Sequence, residues 1–491
     1  MAIITMFFMF AMISFVTNMA APFGNIWKQH YEWSGMLGNL MNFAAYLFMG
    51  IPAGKMLARS GYKKTALSAL GVGFVGMAIQ LSASYLSVGI AALVVYLLGA
   101  FVCGFCVCML NTVVNPMLNM LGGGGNKGNQ LVQSGGALNS LAGTLTPLLA
   151  GMMIGTITKS TSLTLVRPLL LIALAVFALS FLVIYFVSIP EPERKATAAA
   201  GKDQHSPWSF RHFVLGVIAI FFYVGIEVGI PGELNFYLSD ANATGAGIAV
   251  NGALIGGALA SCYWFLMLVG RVCSSAISGK VSAKVQLTTV SAVAIIFVVA
   301  AIFTPKTTRV NVPGFLYDPI EKTVDILTQK AELTQEQAEC YVSQETPDSA
   351  ALALITPKVN ALAEVFNVKA QDNVAEETLV AAVADKLTES KKTPSVPVSA
   401  IFLILCGLCT SLMWGGIFNL AVEGLGKYTE QASGIFMMMV VGGGVMPLIQ
   451  EFLGRSVGYL PSYWLVAGML AFLLFYALVG CKNVNKNIKV D

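Results

Sequence analysis

Residues 110–116 read LNTVVNP, two amides set within an apolar run that extends from Ala91 to Met120. Asn111 and Asn115 lie four residues apart, so in a helix they share one face. Hydrocarbon supplies no hydrogen-bond partner, and an amide at membrane depth has to find one in the protein or in a ligand. The run therefore reads as a membrane helix, and its amides as either glue between helices or the floor of a binding site.

The composition extends that reading to the whole chain. Hydrophobic residues make up 56% and charged residues 11% of the 491 positions, with a mean hydropathy of +0.74, which excludes an ordinary soluble domain. A bilayer core needs about 20 apolar residues per helix. Twelve segments come near that length or pass it: residues 2–23, 34–57, 66–85, 89–120, 131–156, 165–189, 212–237, 247–271, 285–304, 397–421, 434–454 and 461–480. The first has no basic leader and no clear small-residue cleavage site, so it is expected to stay as a helix. Basic residues gather in alternate connections, at Lys55, Arg59, Lys63 and Lys64, at Arg194, Lys195, Lys202 and Arg211, and at Lys482, Lys486 and Lys489. By the charge rule for short loops these connections and both termini are cytoplasmic.

The chain also divides. Residues 119–147, NMLGGGGNKGNQLVQSGGALNSLAGTLTP, are similar to residues 423–447, EGLGKYTEQASGIFMMMVVGGGVMP. In both, a Leu-Gly helix end leads through a loop bearing Lys and Gln into a Ser-Gly helix with a proline 13 or 14 residues on. The sequence places one six-helix half at 1–189, a cytoplasmic linker at 190–211, and a second half at 212–304 and 397–481. Pro147 and Pro447 are 300 residues apart, too far for a six-helix repeat, and the excess lies in an insertion at 305–396. Between Lys306 and Lys392 it carries 9 Lys/Arg and 14 Asp/Glu, a net −5 in a chain of net +4. Helix starts are legible there at Asp318-Pro319, Thr334 with Gln337, Thr346-Pro347, Thr356-Pro357 and Asn373 with Glu376. A small cap of four or five short helices is expected on the outer side, either an inert insertion or a surface for a periplasmic partner.

Several chemistries are excluded or disfavoured. Most of the nine cysteines fall in apolar helices, and the three histidines lie in or beside polar connections, so no metal-ligand cluster is expected. Gly122 to Gly125 follow no strand and lack a terminal Gly-Lys-Ser/Thr, which argues against nucleotide binding.

The loop GKMLARSGYKK (54–64) holds Gly54, Arg59, Gly61, Lys63 and Lys64. With its twelve helices and two similar halves, the chain resembles a major facilitator superfamily transporter, whose pattern has an aspartate where Ala58 stands. More closely, it resembles the fucose permease and glucose/galactose porter branch of sugar symporters. The segments that carry this are FFMFAMISFVTNMAAPF (7–23), LNTVVNP (110–116), LNSLAG (138–143), FFYVGIEVGI (221–230), YWFLMLVGR (263–271) and SLMWGGIFNLAVEGLGK (411–427). The resemblance implies an all-α membrane fold, twelve transmembrane helices in two six-helix halves with an extramembrane helical insertion. It also implies a carboxylate at the place of Asn18 and another at Asn111, the pair that binds the coupling proton in the fucose permease pattern. Both are amides here, so that route is absent. The family's helix 5 glutamine falls at Gly136.

What the residues offer in exchange can be named. Asn18 and Asn111 each present a donor and an acceptor, as a sugar hydroxyl requires, and could equally give neutral oxygens to Na⁺. Glu227 lies well inside an apolar run, where an acid is costly and by default serves a cavity; the glucose/galactose branch has a glutamate in the same motif. Glu233 is expected to be a solvated or gating charge, and Arg271 a cytoplasmic helix end. Trp414 could stack on a sugar ring, and Gln133, Asn139 and Asn419 are further candidates for the cavity wall. The expected function is membrane transport of a sugar by alternating access, coupled to H⁺ or Na⁺ through Glu227 or the amides, in a monomer of a bacterial inner membrane. An uncoupled facilitator and a non-transporting receptor on a permease scaffold are the alternatives. No cofactor, no enzymatic activity and no nucleic-acid partner are expected.

Overall fold

The computed structural model describes residues 2–123, 125–154, 162–191, 205–240, 244–248, 251–277, 281–366, 368, 376–485 and 487–488. Helices dominate from the start: α1 (Ala2–Asn18), α2 (Ala20–His30), α3 (Leu37–Ala83), α4 (Ile90–Leu121), α5 (Gly125–Ile154), α6 (Arg167–Phe186), α7 (Arg211–Ser239), α8 (Gly252–Ile277) and α9 (Ala283–Phe303). A strand, β1 (Arg309–Asn311), opens the insertion, followed by α10 (Pro319–Lys330), α11 (Gln335–Ser343), α12 (Ser349–Ile355), α13 (Val359–Val365) and α14 (Glu376–Ser390). Strand β2 (Ser395–Pro397) closes it, and α15 (Val398–Thr410), α16 (Met413–Val422), α17 (Thr429–Met438), α18 (Gly442–Val457) and α19 (Tyr459–Phe475) complete the chain.

These helices form twelve legs once three of them are read as interrupted and one as doubled. α1 with α2, α15 with α16 and α17 with α18 each make one leg, while α3 turns a corner at Gly61 (φ 82°, ψ 176°) and makes two. Among the described residues nine legs are long and apolar enough to cross a membrane. The other three, α1 with α2, the first part of α3, and α5, are broken or more polar. Gly61 needs its positive φ, which costs glycine nothing, and it also needs to be small: a Cβ there would run into the Glu191 carboxylate. That carboxylate accepts from the amides of Tyr62 (2.9 Å) and Lys63 (3.0 Å), capping the third leg where the loop has no aspartate of its own.

One apolar core runs through all the legs, while Leu171, Leu179 and Phe186 on α6 and Phe48 and Leu47 on α3 stay exposed. Such an apolar exterior suits lipid. The cap has a core of its own, built from Leu327, Tyr341, Ile355, Leu362, Val383 and Leu387. Its helix starts follow the local chemistry: the Asp318 carboxylate accepts from the amides of Ile320 and Glu321, and Thr334 and Gln337 close a reciprocal capping box. At the third start Asp348, not Thr346, caps α12 by accepting from the Ala351 amide at 2.7 Å. Asn373 lies outside the described residues. The cap is tied down at its base. β1 and β2 pair antiparallel with Arg309 opposite Pro397, Arg309 donates to the Ala246 carbonyl at 2.9 Å, and Lys306 donates to the Thr244 carbonyl at 2.9 Å. Burial pushes the Tyr317 hydroxyl, which accepts from Asn251, up to about 12.

Candidate functional site

The two halves meet along two seams. On one, α3 of the first half packs against α17 and α18 of the second, with Asn39 Nδ2 donating to the Gly443 carbonyl at 2.9 Å. Glycines bring the backbones close there: a Cβ on Gly50 would press on Met438 and Gly434, and one on Gly444 would crowd Leu40 and Phe43. On the other seam, α5 packs against α8. At the cap end Lys28 of α2 places its ammonium 3.2 Å from the centre of the Phe236 ring on α7, so the halves touch there as well.

The first leg of each half breaks its helical ladder at a matching place. Pro22 and Pro231 carry no amide hydrogen, so the carbonyls four residues earlier, those of Asn18 and Glu227, lose their helical donor. α1 ends at Asn18. The two polar side chains expected in the cavity thus sit at equivalent points of the two halves.

Within the first half the amides bond to the protein. Asn111 is buried, and its Nδ2 donates to the Tyr46 hydroxyl at 2.7 Å. Asn115 Nδ2 donates back to the Asn111 carbonyl at 2.9 Å and lies 3.5 Å from its Oδ1. Asn18, half-buried, donates to the Ser14 carbonyl (2.9 Å) and hydroxyl (3.0 Å) and lies against Gly143 of α5. Among the bonds of the described residues none joins Asn18 to Asn111. Asn139 donates across to the Phe10 carbonyl of α1 at 3.0 Å, which holds α5 to α1. Gln133 is buried on α5 and has no side-chain hydrogen bond among the described residues.

The second half supplies the charge. Glu227 keeps a side-chain exposure of 14%, and its Oε1 accepts from Arg271 Nη2 at 3.2 Å. Arg271 Nη1 donates to the Gly136 carbonyl of α5 at 2.6 Å. A single guanidinium on α8 therefore joins a carboxylate of its own half to a backbone carbonyl of the other. This corrects the expectation that Arg271 is a cytoplasmic helix end: it lies inside α8, buried, with its guanidinium held by the Glu227 carboxylate and the Gly136 carbonyl of α5. Gly136 lies directly against the guanidinium: a Cβ there would meet Arg271 atoms at ordinary contact distance, 3.5 Å and beyond, and only a longer side chain would displace them. Trp414 packs between Tyr223 and Phe436, with ring centroids 6.2 Å away in each case. Asn419 is half-buried one to two turns further along α16 and is held by hydrogen bonding or contact within the protein.

Glu233 also departs from expectation. It is 1% exposed, not solvated, because it sits against Gly454 of α18. The sequence does not single out Arg271, Gly136 or Tyr46 as site residues. A cation within an apolar run marks Arg271, but the partners of Tyr46 and Gly136 come from other helices and leave no local signal. No group of three His, Cys, Asp or Glu residues with metal-binding geometry occurs among the described residues.

The chain is similar in sequence and fold to known proteins. A sequence profile of the Major Facilitator Superfamily matches residues 3–317. The glucose/galactose transporter of Brucella abortus biovar 1 (strain 9-941) is 27% identical over 97% of this chain and 93% of its own length. The L-fucose-proton symporter of Escherichia coli (strain K12) is 28% identical over 78 residues, 16% of this chain and 18% of its own. The crystal structure of the E. coli fucose:proton symporter superposes with a TM-score of 0.62 at 15% identity, covering 97% of this chain and 98% of that one.

Proposed function

The chain belongs to the Major Facilitator Superfamily, and from that premise we propose that it carries a sugar of the hexose, deoxyhexose or amino-sugar class into a bacterial cell by proton-coupled alternating access. The class of substrate is supported by the end-to-end similarity to a protein named for glucose and galactose. The coupling is supported by one geometric observation, the Glu227–Arg271–Gly136 bridge between the halves.

In this reading residues 1–189 and 212–304 with 397–481 are the two rocking bodies, 190–211 the cytoplasmic linker, and 305–396 an outer cap. Both termini are cytoplasmic. Gln133, the Asn18 carbonyl side and Trp414 offer the sugar a polar wall and a stacking face. Asn111 and Asn139, committed to Tyr46 and Phe10, shape that wall, and Asn419 closes it from α16. Ionised Glu227 holds Arg271 in place. A proton on Glu227 removes the charge attraction and leaves the guanidinium bonded to the other half and open to sugar hydroxyls. Binding of proton and sugar thereby bear on the same inter-half contact, which is what coupling requires.

The test is uptake into liposomes with proton and Na⁺ gradients imposed separately. Glu227→Gln keeps the shape and removes the titration, so accumulation should be lost while exchange of sugar across the membrane continues. Unchanged proton-driven accumulation by that variant would remove Glu227 from the mechanism. Na⁺-driven accumulation in both forms transfers coupling elsewhere. A folded protein that moves no sugar in either assay is a receptor on a permease scaffold.

A further inference from the structure

The seam between α7 and α18 holds polar groups that the coupling mechanism does not use. The two helices lie parallel and in register: Phe221 lies against Gly442, Gly225 against Met446, Gly229 against Gln450 and Glu233 against Gly454, with a constant offset in numbering. Glycines alternate between the helices and make two seats. Gln450 occupies the one over Gly229, and Glu233 the one over Gly454, where an added Cβ would collide with Glu233 Oε1.

Both side chains are shut in, Glu233 at 1% and Gln450 at 0% exposure. Neither Glu233 oxygen has a hydrogen-bond partner among the described residues, and neither does the Gln450 amide oxygen or nitrogen. The seats are four residues apart along the helices, about 6 Å, within the combined reach of the two side chains. The charges around them are Lys28, Glu451, Arg455 and Asp240. Arg455 pairs with Glu451 at 2.7 Å, and the Lys28 ammonium stands over the Phe236 ring. α19 brings only hydroxyls, of which that of Tyr463 donates to the Ile230 carbonyl at 2.9 Å. Lys28 and Arg455 act on Glu233 only through space: among the described residues neither makes a hydrogen bond or ion pair with its carboxylate. An ionised carboxylate sealed off without a partner is strongly disfavoured, so this one has to be neutralised by something that enters.

We infer that Glu233 and Gln450 form a binding site for a monovalent cation, a proton or Na⁺, separate from Glu227. The carboxylate supplies the charge and the Gln450 Oε1 a second, neutral oxygen. A bound proton makes the Glu233 hydroxyl a donor to that amide oxygen; Na⁺, a hard cation, takes both as oxygen ligands. The Lys28 charge reaches Glu233 from the other half, so parting of the halves at the cap end changes how strongly the site holds the cation. The cation site stands on its own geometry, and only its use in coupling rests on the transport reading above.

Thermal melting of the purified protein in detergent, without sugar, tests the site. Wild-type protein is compared with Glu233→Gln at pH 6 and pH 8.5, in NaCl and in choline chloride at equal ionic strength. If the ligand is Na⁺, wild type melts several degrees higher in NaCl at pH 8.5, because a ligand bound only by the folded state stabilises it, and Glu233→Gln loses that shift. If it is a proton, wild type melts lower as pH rises, since the folded state then holds a proton that the unfolded chain releases, and Glu233→Gln flattens the dependence. Gly454→Ala, which intrudes on the carboxylate's seat and leaves both ligands in the chain, should weaken the same response and serves if Glu233→Gln gives no folded protein. Identical salt and pH responses in wild type and variants overturn the assignment. So does a response that Glu227→Gln abolishes and Glu233→Gln leaves intact, an outcome that spares the proposed function.

Discussion

α4 and α7 bury polar residues at comparable depth, and they dispose of them in different ways. On α4 the amides close on one another, Asn115 on Asn111 and Asn111 on Tyr46 of α3. On α7 the carboxylates look outward across helix seams, Glu227 to Arg271 of α8 and Glu233 to no hydrogen-bond partner among the described residues. An amide is both donor and acceptor, so two of them with a hydroxyl satisfy most of their own needs. An ionised carboxylate only accepts, and it depends on a cation brought from elsewhere. The first half is thereby suited to holding a shape and the second to taking up and releasing charge.

That contrast breaks most visibly at Arg271. Arg271→Leu leaves Glu227 buried with no counter-charge, which should destabilise the protein by about 3–5 kcal/mol and stop transport. Adding Glu227→Gln to it should recover most of the lost stability in detergent melting. A double variant as unstable as the single one means the pair is not what holds Arg271's surroundings together.

A smaller effect is expected at Gly136. Restoring the glutamine of the resembled family, Gly136→Gln, puts a side chain where the guanidinium lies and should reduce uptake at least tenfold, whereas Gly136→Ala, whose Cβ meets nothing closer than 3.5 Å, should behave as wild type. Equal activity of both variants would show that the bridge to α5 is dispensable.

Tyr46→Phe probes the opposite side of the comparison. Losing one neutral hydrogen bond costs about 1 kcal/mol, and if Asn111 is scaffold the sugar affinity stays within a few fold. A drop of more than tenfold returns Asn111 to direct sugar contact. Least of all should transport respond to replacing residues 318–392 of the cap by a short linker. The cap has a separate apolar core, and the β1–β2 pair with the Tyr317–Asn251 bond remains at its base. Vanished sugar binding in a folded deletion protein would make the cap part of the site.

Much of this was open to reading along the chain, where the signal is local. The cap helices announce themselves because Asp318 and Thr334 reach amides only two or three residues on. The start at Thr346-Pro347 misleads for the same reason: Asp348 has a better-placed acceptor two residues after Thr346. Of the candidate site, Glu227 is legible because an acid within an apolar run is conspicuous whatever it faces. Gln133, Trp414 and Asn419 were legible only as polar or aromatic exceptions, without direction.

The sequence alone determined that the chain is a two-part bundle of membrane helices with a separate acidic cap, because hydropathy, helix caps and loop charge act over a few residues. Tertiary structure alone decided what the buried polar groups do. Asn139 belongs to α1, Asn111 to Tyr46, Arg271 to both halves at once, and Glu233 to a seat made by a glycine on another helix. Each of those outcomes depends on which backbone arrives opposite, and in a low-dielectric interior the partner across the seam, not the neighbour along the chain, sets the energy of a polar group.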